Sequence, residues 1–337
     1  MNTFISFVFI TIAGLINGSF ALPTKYVKNW KFENIWLQYA IWAFVILPWV
    51  VAFFISPQVF QVYADTSYLL WIMLVGGLLF GIGQICFALS FNFIGLGLGF
   101  VINIGLGTTL GCLLPLIIQH PEKILTPFGL TTLLGIILIV TGLIISNRAG
   151  VLRGDTQQQE SGKKSLHAIG VLLAAIAGVF SAGQNLAFSL TFMMQKMALD
   201  LGATQFGAST IMWPGFLICS FIPYALYMLF LQRKNKTFNC YRADGSFKYH
   251  LFSLIMAAFW YGSLMFYSQA SMVIGALGPM VGWPLFMSLI ILTSNFWGWK
   301  HGEWAKANAR AKNTMKLGLV FLVLAVIVLG HSSSFTH

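Results

Sequence analysis

An all-α integral membrane protein with ten transmembrane helices, arranged as two inverted five-helix repeats, is the fold class this sequence predicts. Three observations predict it. Apolar runs of bilayer-spanning length recur about ten times, the basic residues sort by loop, and segments of one half can be laid over segments of the other. Of 337 residues 58% are hydrophobic and only 8% charged, with a mean hydropathy of +0.82, so a water-soluble globule would leave far too much apolar surface exposed. A hydrocarbon core about 30 Å thick needs roughly 20 apolar residues per helical crossing. The runs lie near 4–22, 35–55, 68–91, 95–118, 127–146, 167–190, 206–231, 250–270, 272–296 and 315–331. None alternates polar with apolar residues as a barrel strand does.

Each run carries a mark of its own. The first has its basic residues, Lys25, Lys28 and Lys31, behind it rather than ahead, the reverse of a cleaved leader. It holds Asn17 and Ser19; the second is purely apolar toward its end. The third holds Gln84 and the fourth Asn103 and Thr108. Gly77 and Gly81, like Gly107 and Gly111, are four apart, which lets helices approach closely. The fifth is followed by the polar stretch RAGVLRGDTQQQESGKKS, read as a cytoplasmic linker. The sixth holds Ser181, Gln184 and Asn185, the seventh Thr210, Trp213 and Pro214, the eighth Trp260, Tyr261 and Tyr267, and the ninth Pro279, Trp283 and Pro284. These prolines predict kinks or breaks in helices seven and nine. The tenth run has no polar side chain between Lys316 and His331 at its ends and is expected to face lipid or another helix.

Charge sets the orientation. Of the 19 Lys and Arg residues, 17 follow the first, third, fifth, seventh and ninth runs, whereas Lys123 and Lys196 alone lie in the other loops. By the positive-inside rule the odd loops face the cytoplasm and both termini face outside, as an even number of crossings requires.

The repeat is read from IAGLINGSFALP at 12–23 against IAGVFSAGQNLA at 176–187, and from FNFIGLGLG at 91–99 against SMVIGALGP at 271–279. Five crossings per half is an odd number, so the second half enters the membrane upside down, an arrangement characteristic of secondary transporters. The domains expected are residues 1–146, a linker at 147–166, and residues 167–337.

A polar side chain inside hydrocarbon costs free energy unless it finds a partner, so mid-helix polar residues are site candidates. The candidate substrate-binding set is Asn17, Gln84, Asn103, Gln184, Asn185, Trp213, Trp260, Tyr261, Tyr267 and Trp283. Neutral amides both donate and accept, which suits a ligand carrying several hydroxyls and no charge. Aromatic faces pack on C–H surface while an indole N–H or a phenol bonds an edge. Gln184 and Asn185 point about 100° apart on a helix. Gln184 is favoured for the cavity and Asn185 for a neighbouring helix. The competing role for any of these residues is interhelical hydrogen bonding.

Pro23, Lys25, Val27, Lys28, Trp30, Glu33 and Trp36 in ALPTKYVKNWKFENIW, then ILPW at 46–49, IGLGLGFVINIGLGTTLGCLLP at 94–115, FSAG at 180–183 and GEW at 302–304 resemble the bacterial L-rhamnose/proton symporters of the drug/metabolite transporter superfamily. The resemblance implies ten helices, outside termini, residence in the bacterial cytoplasmic membrane and uptake of a small neutral sugar, L-rhamnose or a related monosaccharide, with a proton. Some members carry an acidic residue near the start of helix nine, where GALGPMVGW has none.

All eight acidic residues lie in loops or at their edges, and no histidine lies mid-helix. Coupling is therefore expected at an edge group such as Lys25, Glu33 or His250. A facilitator, or a sodium-coupled carrier of another small metabolite, is the alternative. Neither a cofactor nor a metal site is expected, and nucleic acid is not a partner, since the charge is spread over loops. His301 and Glu303 in KHGEW are the nearest approach to a catalytic pair and lack a metal-ligand set, so an enzyme is not expected.

Overall fold

Ten helices long and apolar enough to cross a bilayer run through the computed structural model, which describes residues 2–153, 164–243 and 245–332. They are α1 (Phe4–Tyr26), α2 (Phe32–Ile55), α3 (Ser67–Gly95), α4 (Leu98–Gln119), α5 (Pro127–Arg153), α6 (Leu166–Asp200), α7 (Gln205–Asn235), α8 (Ser246–Ile274), α9 (Gly278–Lys300) and α10 (Ala309–Ser332). Among the described residues there is no strand.

The expected runs match these helices in number and order, but the boundary near 271 moves: residues 272–274 continue α8, and α9 begins only at Gly278, after the turn at Gly275. Helix α5 continues to Arg153, so the first residues of the expected linker are helical, while 154–163 lie outside the described residues. Helix α2 begins at Phe32 rather than near 35. The Lys31 N–H donates to Asn34 Oδ1 at 3.2 Å, which satisfies one of the amides that a helix start leaves free. Glu33 is thereby drawn into the first helical turn, where a carboxylate complements the helix dipole.

The expected break appears in helix seven at Pro214, whereas helix nine runs unbroken through Pro284. Pro48 follows a π-helical stretch, Ile41–Ile46, that loosens α2 just ahead of it. Helix α7 breaks after Ser209 and resumes at Trp213 with Pro214 in its new first turn. Pro279 sits in the opening turn of α9, and Pro284 inside it.

Helices α3 and α4 meet at Gly95, with φ 74° and ψ 167°, and α8 and α9 meet at Gly275, with φ 95° and ψ −152°. Both conformations lie in a region that is essentially closed to residues with a β-carbon.

Packing follows a regular scheme. Helix α1 packs on α8 and α9, α6 on α3 and α4, α5 on α10, and α2 and α7 on each other, with α7 also on α3 and α2 on α8. Close approach rests on small residues. A β-carbon at Gly14 of α1 would collide with Leu289 of α9, and one at Gly178 of α6 would lie 2.7 Å from Leu106 Cβ of α4. Between these helices the bundle encloses a cavity.

Candidate substrate cavity

The cavity has a volume of about 860 Å³, within the range of small-molecule sites. Its mouth is formed by Ala21 at the end of α1, Phe32 and Glu33 at the start of α2, Asn92 at the end of α3 and Asn235 at the end of α7. The ends of α1, α2 and α7 among these join basic loops. From there it reaches inward to Phe80, Thr108, Gln184 and Trp283 near mid-bundle.

One side is polar. Gln84 of α3, Asn103 and Thr108 of α4, and Ser181 and Gln184 of α6 line it. Asn103 Oδ1, Thr108 Oγ1 and Gln184 Nε2 are buried and have no hydrogen-bond partner. Asn17 joins from α1, with its Nδ2 donating to Ser263 Oγ at 2.7 Å.

Much of the remaining lining is aromatic, on α2, α7 and α8 and also, through Phe80, Phe87, Phe91 and Phe100, on α3 and α4. Phe44 of α2 lies 5.2 Å from the Trp260 ring of α8, 5.8 Å from Tyr224 of α7 and 6.5 Å from Phe80 of α3. Tyr39 and Trp36 continue this surface toward the mouth.

Beyond mid-bundle the helices are sealed together. Asn185 Nδ2 donates to Gly111 O at 2.7 Å and to Pro279 O at 3.0 Å, and Tyr267 OH donates to Asn185 Oδ1. Trp283 Nε1 donates to Gly107 O at 3.0 Å, and Trp213 Nε1 to Ser268 Oγ at 2.7 Å. The Phe188 and Trp213 rings stack at 5.5 Å. Cys112, fully buried, donates its thiol to Met280 O at 2.8 Å. These bonds tie α4, α6, α7, α8 and α9 into a plug.

Glu33 is the acidic residue on the lining, 4% exposed. Its Oε1 accepts from Thr237 Oγ1 at 2.8 Å and Asn235 Nδ2 at 3.0 Å, while its carbonyl accepts from Gln232 Nε2 at 3.2 Å. Lys31 and Tyr241 are the charged or titratable groups acting on it. Burial pushes the Tyr241 phenol up, so that it stays a neutral donor, bonded to Asn34 O at 3.3 Å. Outside the mouth, Lys25 pairs with Glu303 at 2.6 Å, and Arg153 lies over the Trp304 ring at 4.5 Å.

Of the ten residues singled out from sequence, Asn17, Gln84, Asn103, Gln184, Trp260 and Trp283 line the cavity together. Asn185, Trp213 and Tyr267 lie in the seal, and Tyr261 is buried off the cavity wall. His250 packs on Trp30, with ring centroids 4.7 Å apart, outside the lining. Trp36, Tyr39, Phe44, Phe80 and Tyr224 were not singled out. Trp36 had carried only the family resemblance, and its spacing from Tyr39 puts both on one helix face. Among the described residues no cluster of His, Cys, Asp or Glu could hold a metal ion.

Comparison with known proteins places this geometry in a family. The family model described as L-rhamnose-proton symport protein (RhaT) matches residues 1–334. Proteins named L-rhamnose-proton symporter from Pectobacterium atrosepticum and Klebsiella pneumoniae (strain 342) are 28% identical over 330 residues and 30% identical over 326, each match covering 92% of both chains. One from Escherichia coli O17:K52:H18 is 29% identical over 326 residues, again with 92% of both covered.

Proposed function

The chain belongs to the L-rhamnose-proton symport protein family, and from that premise we propose that it carries L-rhamnose together with a proton into the cell by alternating access. The family is one of transporters, so the chain is a multi-pass membrane carrier and not an enzyme. The single observation that supports the sugar reading best is the neutral polar lining of the cavity, formed by Asn17, Gln84, Asn103, Ser181 and Gln184 from four helices. Amides and hydroxyls both donate and accept, which matches a ligand whose hydroxyls give and take hydrogen bonds. An uncharged lining of amides and aromatics matches a ligand with no charge.

The cavity opens at the end carrying the basic loops, and the positive-inside rule assigns that end to the cytoplasm. On this assignment the conformation is inward-facing, both termini lie outside, and the plug around Asn185 is the closed outer gate of a carrier in the bacterial cytoplasmic membrane.

Two inverted repeats of five helices, the architecture of the drug/metabolite transporter superfamily that the sequence resembles, give alternating access a simple geometry. Exchanging α1–α5 for α6–α10 turns the packing of α1 on α8 and α9 into that of α6 on α3 and α4, and leaves the pairs α2–α7 and α5–α10 unchanged. Gly95 and Gly275, matched in the sequence alignment of the halves, share the same rare backbone conformation. Asn17 and Ser181, likewise matched, both line the cavity. Swapping the conformations of the halves would close the mouth and open the plug.

We assign the coupling proton to Glu33, the acidic residue lining the cavity that the sugar enters. The test of the sugar site is calorimetric titration of the purified protein with L-rhamnose. Binding by the wild type, weakened in Gln184→Ala, is the expected result; equal affinity in the two would remove Gln184 from the site.

A further inference from the structure

The cavity has a second set of polar groups without partners, within its aromatic lining. Tyr39 of α2 and Tyr224 of α7 are 4% and 6% exposed, and both line the cavity. Neither phenol oxygen has a hydrogen-bond partner among the described residues. The two phenols are close enough to interact electrostatically, and both rings pack against Phe44, at 6.1 Å and 5.8 Å. A phenol buried in a bundle ordinarily bonds a neighbouring carbonyl. Tyr63 does so here, donating to Ile211 O at 2.8 Å, and Tyr267 bonds Asn185. Tyr39 and Tyr224 instead keep their hydroxyls free at a cavity surface.

We propose that Tyr39 and Tyr224 form a second part of the sugar site: their hydroxyls bind ring hydroxyls of the monosaccharide other than those held by the amides of α3, α4 and α6, with Phe44 and Trp260 packed on the sugar's C–H surface. The inference rests on the sugar reading given above and deepens it.

The chemistry of the pair fits this use. A phenol donates one hydrogen bond and accepts others, so it can serve a sugar hydroxyl of either polarity. Its ring is stiff and loses little freedom on binding. The flanking faces of Phe44 and Trp260 suit the apolar edge of a pyranose, as the amides do not. Placement adds a second argument. The tyrosines stand on α2 and α7, helices that pack against each other and that correspond under exchange of the two halves. A ligand bonded to both spans the two halves, so its binding is felt wherever those helices part or close.

The experiment uses Tyr39→Phe and Tyr224→Phe in the full-length purified protein, substitutions that remove one oxygen and keep the ring. Affinity for L-rhamnose is measured by calorimetry and thermal stability by unfolding in the same detergent. Because no hydrogen bond is lost in the unliganded protein, each variant is expected to keep the wild-type Tm, while Kd rises about 5-fold to 10-fold, the size of one net hydrogen bond. Deoxy-rhamnose analogues lacking one ring hydroxyl at a time sharpen the test. For each tyrosine, one analogue should bind the wild type more weakly than L-rhamnose does yet bind the corresponding Phe variant as well as L-rhamnose does. A lower Tm with unchanged Kd would make the tyrosines packing residues and overturn the proposal. Unchanged Tm and Kd together would overturn it too. Wild-type protein that binds no L-rhamnose would remove the sugar reading itself, and with it the assignment of the pair; wild-type binding with indifferent Phe variants would remove the pair alone.

Discussion

Gln184 and Asn185 are adjacent amides on one helix, yet they belong to two opposite halves of the molecule. Gln184 faces the cavity and its Nε2 has no partner, whereas Asn185 is fully buried with three hydrogen bonds to α4, α8 and α9. The same contrast separates the regions around them. In the sealed half, Trp213, Tyr267, Trp283 and Cys112 each donate to a named acceptor on another helix. In the open half, Asn103, Thr108, Gln184, Tyr39 and Tyr224 line a cavity with unspent hydrogen-bonding capacity. Buried polar groups satisfied within the protein hold helices together, and those left unsatisfied beside a cavity prepare a site for a polar ligand.

That comparison can be broken at several points, and the largest effect is expected at the mouth. Glu33→Gln removes the titratable group while keeping side-chain shape. It should abolish accumulation of L-rhamnose against its gradient and leave counterflow exchange intact; accumulation at wild-type levels would take the proton away from Glu33. Next in size is the seal. Asn185→Ala strips partners from the Gly111 and Pro279 carbonyls and from Tyr267, and with unsatisfied groups at about 1–3 kcal/mol the loss should lower Tm by several degrees. It should also expose Cys112, protected in the wild type, to a small maleimide; a stable variant with Cys112 still protected would mean that the plug does not depend on this amide. For Gln184→Ala the pattern reverses. Affinity should fall by about 10-fold with little change in Tm, since the unliganded protein loses no bond at Nε2. Smallest of all is the surface pair at the mouth. Lys25 and Glu303 are 39% and 43% exposed, so solvent screens them, and Glu303→Gln should cost less than about 1 kcal/mol. A larger loss would make this pair part of the cytoplasmic gate.

The crossings were legible in the sequence because hydrocarbon imposes a length on every apolar run, and no soluble fold repeats that length ten times. Gly95 and Gly275 fall at the same place in the two aligned segments, but their role as the turns between successive helices was not legible, since the apolar run continues through Gly275. Six of the ten residues singled out line one cavity, because polar side chains at mid-membrane are few and must face a partner or a ligand. That Gln184 and Asn185 could not both face the cavity followed from the helical turn, but not which of them does.

What was not legible was the aromatic wall. Trp36, Tyr39, Phe44 and Tyr224 are as hydrophobic as the lipid-facing residues around them, and composition does not tell an inward ring from an outward one. Tyr261 and Tyr267 were no better marked than Tyr39 and Tyr224, yet only the second pair meets the cavity. Glu33 looked like a loop-edge residue because the apolar run begins after it. The Lys31–Asn34 cap starts the helix earlier and places the residue on the lining.

The most direct test of proton-coupled sugar uptake is transport of labelled L-rhamnose into proteoliposomes with and without an inward proton gradient. Accumulation above the external concentration, present only with the gradient, is the predicted result. Uptake that merely equilibrates, whatever the gradient, would contradict it.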